Sequence, residues 1–190
     1  MNYLAHLFLA GDSAESLIGN LAGDFVKGPL HDRFSPAIAA GITMHRRIDA
    51  FTDSHPEVAA FRRVLVPEIG HYARVVADVF FDHFLACDWA RYSDQPLEAF
   101  LARAFGLMNG HELPGRLAQV YPRMRDERWL HSYAQIDGIR MSLRGISWRL
   151  SRHPSLEPVV HHLTDSRDVL DYHFSAFFPD VQRFARSLRA

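Results

Sequence analysis

The sequence predicts an all-α fold in one domain, and three observations lead there. Helix start and stop residues recur along the whole chain, strand signals are scarce, and neither an internal repeat nor a linker divides the 190 residues. A single compact domain spanning residues 1–190 is the default at this length, with enough chain to bury a sizeable core.

Taken in order, Asn2 is placed to cap a first helix that ends at Gly11. Asp12 and Glu15 form a capping-box pattern, opening a helix that runs through Asp24 to about Lys27, where Gly28-Pro29 stops it. Ser35-Pro36 is a cap followed by proline at the first helical position, and its helix runs through His45 and Asp49 to about Asp53. His55-Pro56-Glu57 starts another, ending near Val66, and Pro67-Glu68 opens a long segment to about Tyr92. Further helical patterns cover Pro96 to Asn109, Pro114 to Arg123, Arg125 to Ala134, Gln135 to Ser151 and Pro154 to about Ser166. A last helix, from about Val169 to Leu188, contains Pro179, which predicts a kink or a split. The hairpin-type dipeptide Asp137-Gly138 lies inside a helical pattern.

Composition narrows the class. Hydrophobic content of 48% with 23% charged residues is ordinary for a soluble globular protein. A net charge of −1 gives no argument for nucleic acid or an anionic membrane surface. Cys87 is alone, which excludes a disulfide framework and a cysteine-rich zinc site and fits a reducing compartment. The apolar N-terminus lacks a basic leading region and is interrupted by His6, and no later stretch reaches the roughly 18 apolar residues of a membrane span. The expectation is a soluble, cytoplasmic protein. Of its 21 basic residues only Lys27 is lysine; arginine suits phosphate, but a genome-wide arginine bias produces the same count.

Chemistry concentrates in a few places. His45, Asp49 and Asp53 stand four residues apart, so they share one helix face, with Arg46 and Arg47 beside them. A histidine and carboxylates in that register suit a divalent metal, with His45 as ligand and Asp49 as second ligand or as the group orienting its imidazole. The plain alternative is a surface ion pair. Asp82-His83, with Asp78 one turn earlier, lies in the apolar run Val75–Leu85, where an ionised carboxylate needs a metal or an arginine such as Arg46 or Arg74. Asp24 follows Gly19 and Gly23, glycines that permit close approach of another helix and a shared site; pairing with Lys27 is the plain reading. His6 reads as a core histidine. His31-Asp32 spells a metal-phosphohydrolase dipeptide but has loop composition around it. His161-His162, His111, His131 and His153 are read as structural. Phosphate loops, nucleophile elbows and dinucleotide fingerprints are absent.

The ordered blocks Met1-Asn-Tyr-Leu-Ala-His-Leu7, Gly19-Asn-Leu-Ala-Gly-Asp-Phe-Val26, Met44-His-Arg-Arg-Ile-Asp49 with Thr52-Asp53, and Asp82-His-Phe-Leu85 with Trp89 resemble the acyl carrier protein phosphodiesterases. The resemblance is tight over the first ninety residues and looser beyond. It implies a helical bundle of divergent HD-phosphohydrolase type and a manganese- or magnesium-dependent hydrolase. The reaction implied is hydrolysis of the phosphodiester between 4′-phosphopantetheine and a serine of acyl carrier protein. The His…His-Asp…Asp order usual in HD phosphohydrolases is not reproduced cleanly, so the ligands implied are spread over several helices: Asp24, His45 and Asp82, with His6 or His83. Arg46 or Arg47 then stabilises phosphate charge, and Asp49 or His83 positions water or protonates the leaving oxygen. The acidic carrier protein would dock on arginines, with Arg62, Arg63 and Arg74 as the residues expected. Two other readings stand beside this one: a metal phosphohydrolase of a nucleotide or small diester, and a non-enzymatic helical binding module.

Overall fold

The computed structural model describes residues 1–189, and among them there is no β-strand. The elements are α1 (Tyr3–Leu9), α2 (Ala14–Ala22), α3 (Pro36–Ser54), α4 (Pro56–Ile69), a 3-10 turn (Gly70–Tyr72), α5 (Ala73–Cys87) and α6 (Trp89–Tyr92). They continue with α7 (Leu97–Met108), α8 (Leu117–Asp126), α9 (Trp129–Ser132), α10 (Ile136–Ser147), a 3-10 turn (Pro158–His161), α11 (His162–Asp165) and α12 (Arg167–Arg189). The fold is all-α, as the punctuation predicts.

Local chemistry sets the helix starts. The Ser13 hydroxyl accepts from the Ser16 N–H, Ser35 accepts from the Ile38 N–H ahead of Pro36, and the His55 ring accepts from the Glu57 N–H ahead of Pro56. Several ends differ from the sequence expectation. Helix α2 stops at Ala22, and Asp24 sits in the turn beyond, where the Phe25 and Val26 N–H groups both converge on the Ala22 carbonyl. Pro67 does not begin a new helix; α4 runs through it, and the break falls at Gly70, whose φ of 54° suits glycine. Pro179 does not split α12, which is continuous over 23 residues. The Pro154–Ser166 stretch is not one helix: it is irregular up to Glu157 and then forms the second 3-10 turn and α11. His31 and Asp32 lie in an exposed turn, with Asp32 at φ 57°.

Two packing features position the site. An aromatic wall from α4, α5 and α12 forms the core, with Phe61, Phe81, Phe84, Phe174, Phe177 and Phe178 all fully buried. Rings meet edge-to-face, as Phe61 on Phe81 at 4.7 Å between centroids. On the other side, α2 and α3 cross at Gly19 and Gly41. A Cβ on Gly19 would stand 2.6 Å from the Ile38 carbonyl oxygen, and one on Gly41 would stand 2.9 Å from the Gly19 Cα. The two backbones therefore touch, and the residues just beyond them on α2 are carried against α3. No described helix is long and apolar enough to cross a membrane.

Candidate active site

Helix α3 places His45 and Asp49 one turn apart, both facing α1 and the end of α2. His45 Nδ1 lies 2.8 Å from the Asn20 carbonyl oxygen. A carbonyl only accepts, so Nδ1 carries the proton there and Nε2 is directed the other way. Nε2 faces Asp49 Oδ2 at 3.2 Å and Asp24 Oδ1 at 3.5 Å. His6, from α1, stacks on the His45 ring with centroids 3.7 Å apart, and its Nε2 reaches Asp49 Oδ1 at 3.1 Å. The His6 Nδ1 is buried without a hydrogen-bond partner. Donor atoms of His6, His45 and Asp49 all fall within 4.8 Å of one another, a spacing one metal ion can span.

Gly23 makes this possible: a Cβ there would come within 2.1 Å of the His45 ring. Asp49 is shared more widely still. The α-amino group of Met1 is buried between carboxylates, 3.1 Å from Asp49 Oδ1 and 3.1 Å from Asp78 Oδ1. From Asp78 the charges continue outward through Arg62, 3.8 Å away, to Asp53, which Arg62 meets at 2.8 Å and Arg74 also pairs with.

Protonation follows from this crowding. Burial opposes the imidazolium of His45, but hydrogen bonds to Asp24 and Asp49 outweigh it and raise its pKa to about 9. Burial, reinforced by neighbouring His45, drives His6 down to about 4. Burial alone would raise Asp49; its bonds to His45 and His6 and the Met1 charge hold it far below the usual carboxylate range instead. Asp78 is raised by burial, only partly offset by the Met1 ammonium.

The structure brings together His6, Asp24, His45 and Asp49, and places Arg46 at the rim. It does not bring Asp82 to the cluster. Both Asp82 oxygens are occupied by backbone, accepting from Leu4 N–H at 2.8 Å and Ala5 N–H at 3.0 Å, so this carboxylate anchors the start of α1 from across the core. Burial pushes its pKa up to about 7 despite those two bonds. His83 points elsewhere: its Nδ1 donates to the Tyr133 carbonyl at 2.8 Å, and Nε2 lies 3.6 Å from Cys87 Sγ. Arg46 ties down the segment after α2, donating to the Val26 carbonyl at 3.0 Å and the Gly28 carbonyl at 2.9 Å. Arg47 is exposed and lies over Phe184 of α12, on another face of α3. Arg62 is turned inward to Asp53, while Arg63 is exposed. The sequence groups Asp78 with Asp82, whereas the structure turns it to the Met1 amine beside Asp49; Gly23, one of the glycines expected to permit close approach, admits the His45 ring. Nothing in the sequence marks the Met1 amine.

Two clefts flank the cluster. The smaller, about 290 Å³, is lined by Asp24, Lys27, His45, Arg46 and Asp49, among others. The larger, about 610 Å³, is lined by His71, Tyr72, Arg74, Asp78, Leu150 and Arg152, with Val75 and Ser151. Asp49 belongs to one and Asp78 to the other, and the Met1 amine bridges them.

Comparison with known proteins identifies the family. The family model described as acyl carrier protein phosphodiesterase matches residues 1–181. A protein of Escherichia coli O6:K15:H31 (strain 536 / UPEC) named acyl carrier protein phosphodiesterase is 38% identical over 188 residues, covering 97% of each chain. Proteins of the same name from E. coli O139:H28 (strain E24377A / ETEC) and E. coli K12 (strain DH10B) are 38% identical over 182 residues, 94% of each chain. No solved structure matches the chain. The matched family covers nearly the whole sequence, including every residue of the cluster, and the chain belongs to the acyl carrier protein phosphodiesterase family.

Proposed function

We propose that this protein hydrolyses the phosphodiester joining 4′-phosphopantetheine to a serine of holo acyl carrier protein, giving apo carrier protein and free 4′-phosphopantetheine. The observation that carries the reading is the convergence of His6, His45 and Asp49 on one point, with Asp24 beside them, at the wall of a cleft that also holds Arg46. The relatives' name supplies the substrate.

The cluster fits a divalent ion, Mn²⁺ or Mg²⁺. His45 is held through Nδ1, which leaves Nε2 as the donor; His6 is uncharged in the ordinary pH range; and Asp49 stays ionised. His6, His45 and Asp49 would hold the ion, with Asp24 beside them. When bound, such an ion supplies Lewis acidity toward a phosphoryl oxygen and makes nearby water more acidic.

The remaining tasks fall to the chain's own groups. A phosphodiester resists water because its anionic oxygens repel nucleophiles. Arg46 answers that charge: one nitrogen is committed to the Val26 and Gly28 carbonyls, and its other N–H groups remain for phosphate oxygens in the smaller cleft. Asp24, the most exposed carboxylate of the cluster, is placed to accept a proton from attacking water. The larger cleft mixes Tyr72, Val75 and Leu150 with Ser151 and His71, which suits the neutral amide-containing arm of phosphopantetheine. Arg74 and Arg152 on its walls, with exposed Arg63, would face the acidic carrier protein.

The direct test is incubation with holo acyl carrier protein and Mn²⁺, followed by intact mass spectrometry. Loss of a phosphopantetheine-sized mass, prevented by chelator, is expected. An unchanged carrier mass with folded, metal-loaded protein would sink the reading.

A further inference from the structure

Glu68, at the end of α4, and the neighbouring pair His161-His162 form a second cluster built from elements that contribute nothing to the active-site ligands. Both imidazoles aim Nε2 at the same atom: Glu68 Oε2 lies 2.8 Å from His161 and 3.1 Å from His162. Each ring is also held from behind. His161 Nδ1 is 3.1 Å from Asp165 Oδ2, and His162 Nδ1 is 3.1 Å from Ser166 Oγ, one helical turn further along in both cases. The two rings are neighbours, tilted by 31° with centroids 4.2 Å apart.

We propose that Glu68, His161 and His162 are a second divalent-metal site, suited to an imidazole-preferring ion such as Zn²⁺. Imidazoles that bind metal through one nitrogen typically anchor the other on a carboxylate or hydroxyl, and both rings do so here. Tetrahedral bonds of about 2.0–2.1 Å separate neighbouring ligand atoms by roughly 3.3 Å, so the present spacings of 2.8 and 3.1 Å need only a few tenths of an ångström of opening. Two histidines and one carboxylate leave a position open to solvent, and the histidines favour zinc over magnesium or calcium. Bound there, the ion clamps the end of α4 to the Pro158–Asp165 stretch. The 3-10 turn that begins two residues after Glu68 carries His71 and Tyr72 into the wall of the larger cleft, so the clamp also steadies that wall.

The test is zinc stoichiometry by equilibrium dialysis on three proteins: wild type, Glu68→Gln/His161→Gln, and His45→Gln. The replaced groups of the double variant are partly exposed, so its fold is retained. The double variant should bind one zinc fewer than wild type, or bind that equivalent at least tenfold more weakly. His45→Gln should keep it, and zinc should raise its Tm through that site. Equal stoichiometry and affinity in wild type and the double variant overturn the proposal. The result is independent of whether the active-site cluster acts on carrier protein.

Discussion

His45 is the residue on which the site turns, because four groups constrain it: the Asn20 carbonyl behind, Asp24 and Asp49 in front, and the His6 ring against its face. Its raised pKa, about 9, means that the metal-free cluster holds a proton between two carboxylates at pH 7.5. An incoming ion must displace it. Calorimetric titration with Mn²⁺ at that pH, in buffers of different ionisation enthalpy, should therefore show about one proton released per ion; none released would count against His45 as a ligand. His45→Gln and Asp49→Asn should each lower kcat by roughly 10²-fold or more while circular dichroism stays helical, as expected for groups serving the transition state. The four-residue spacing of His45 and Asp49 made this pair legible in the sequence. Asp82 was legible as a carboxylate needing a partner, but not which one. Its partners are backbone N–H groups 77 and 78 residues away, and backbone carries no residue-type signal.

At the scale of elements, two contacts assemble the cluster: the glycine crossing of α2 on α3, and the docking of α1 on Asp82. Gly41→Ala forces the two backbones apart, since its Cβ would stand 2.9 Å from the Gly19 Cα and 3.0 Å from the Ser16 carbonyl oxygen. A loss of about 1–3 kcal/mol in denaturant unfolding is expected, with activity falling as Asp24 moves away from His45. Asp82→Ala leaves two buried N–H groups without acceptors, at about 1–3 kcal/mol each. The defect should appear chiefly as lost stability, read from the unfolding midpoint; a stable but inactive Asp82→Ala protein would instead return Asp82 to the chemistry. The start at Ser35-Pro36 was readable because the Ser35 hydroxyl accepts from an N–H three positions on and proline presets φ, whereas the cap of α2 is Ser13 rather than the expected Asp12. The effect of interior prolines was not readable. Pro67 and Pro179 are carried inside α4 and α12, where burial of Leu65 and of Phe177 and Phe178 on the core face outweighs the missing N–H.

For the molecule as a whole, the charge buried around His45 couples folding to pH. Its folded pKa of about 9 lies above the ordinary 6.5, so its contribution is full below pH 6.5 and lost as pH rises through 9. Metal-free protein should lose up to roughly 3 kcal/mol of stability over that window. Denaturant curves of His45→Gln should show a flatter slope, and an equal slope in both proteins would remove His45 as its source. Saturating Mn²⁺ should flatten the wild-type slope too. On the outside, Arg152→Glu should raise KM for holo carrier protein more than it lowers kcat and weaken the salt dependence of association, measured in steady-state assays. A fall in kcat alone would argue against docking there. The sequence carried the fold class and the family, but not the neighbourhood of Arg62, which sits near the family blocks yet turns inward to Asp53 because Asp53, Asp78 and the Met1 amine need a charge-balanced interior.

The two clefts bear on what happens after the bond is cut. Since Asp49 lines one cleft and Asp78 the other, the proposed reading puts the arm and the phosphate-bearing centre in adjoining clefts rather than a common pit. On the proposed reading, the severed carrier protein withdraws from the rim while the small fragment is still seated inside. Departure is then sequential, with the detached arm last, and accumulated 4′-phosphopantetheine keeps the next carrier protein from threading its own.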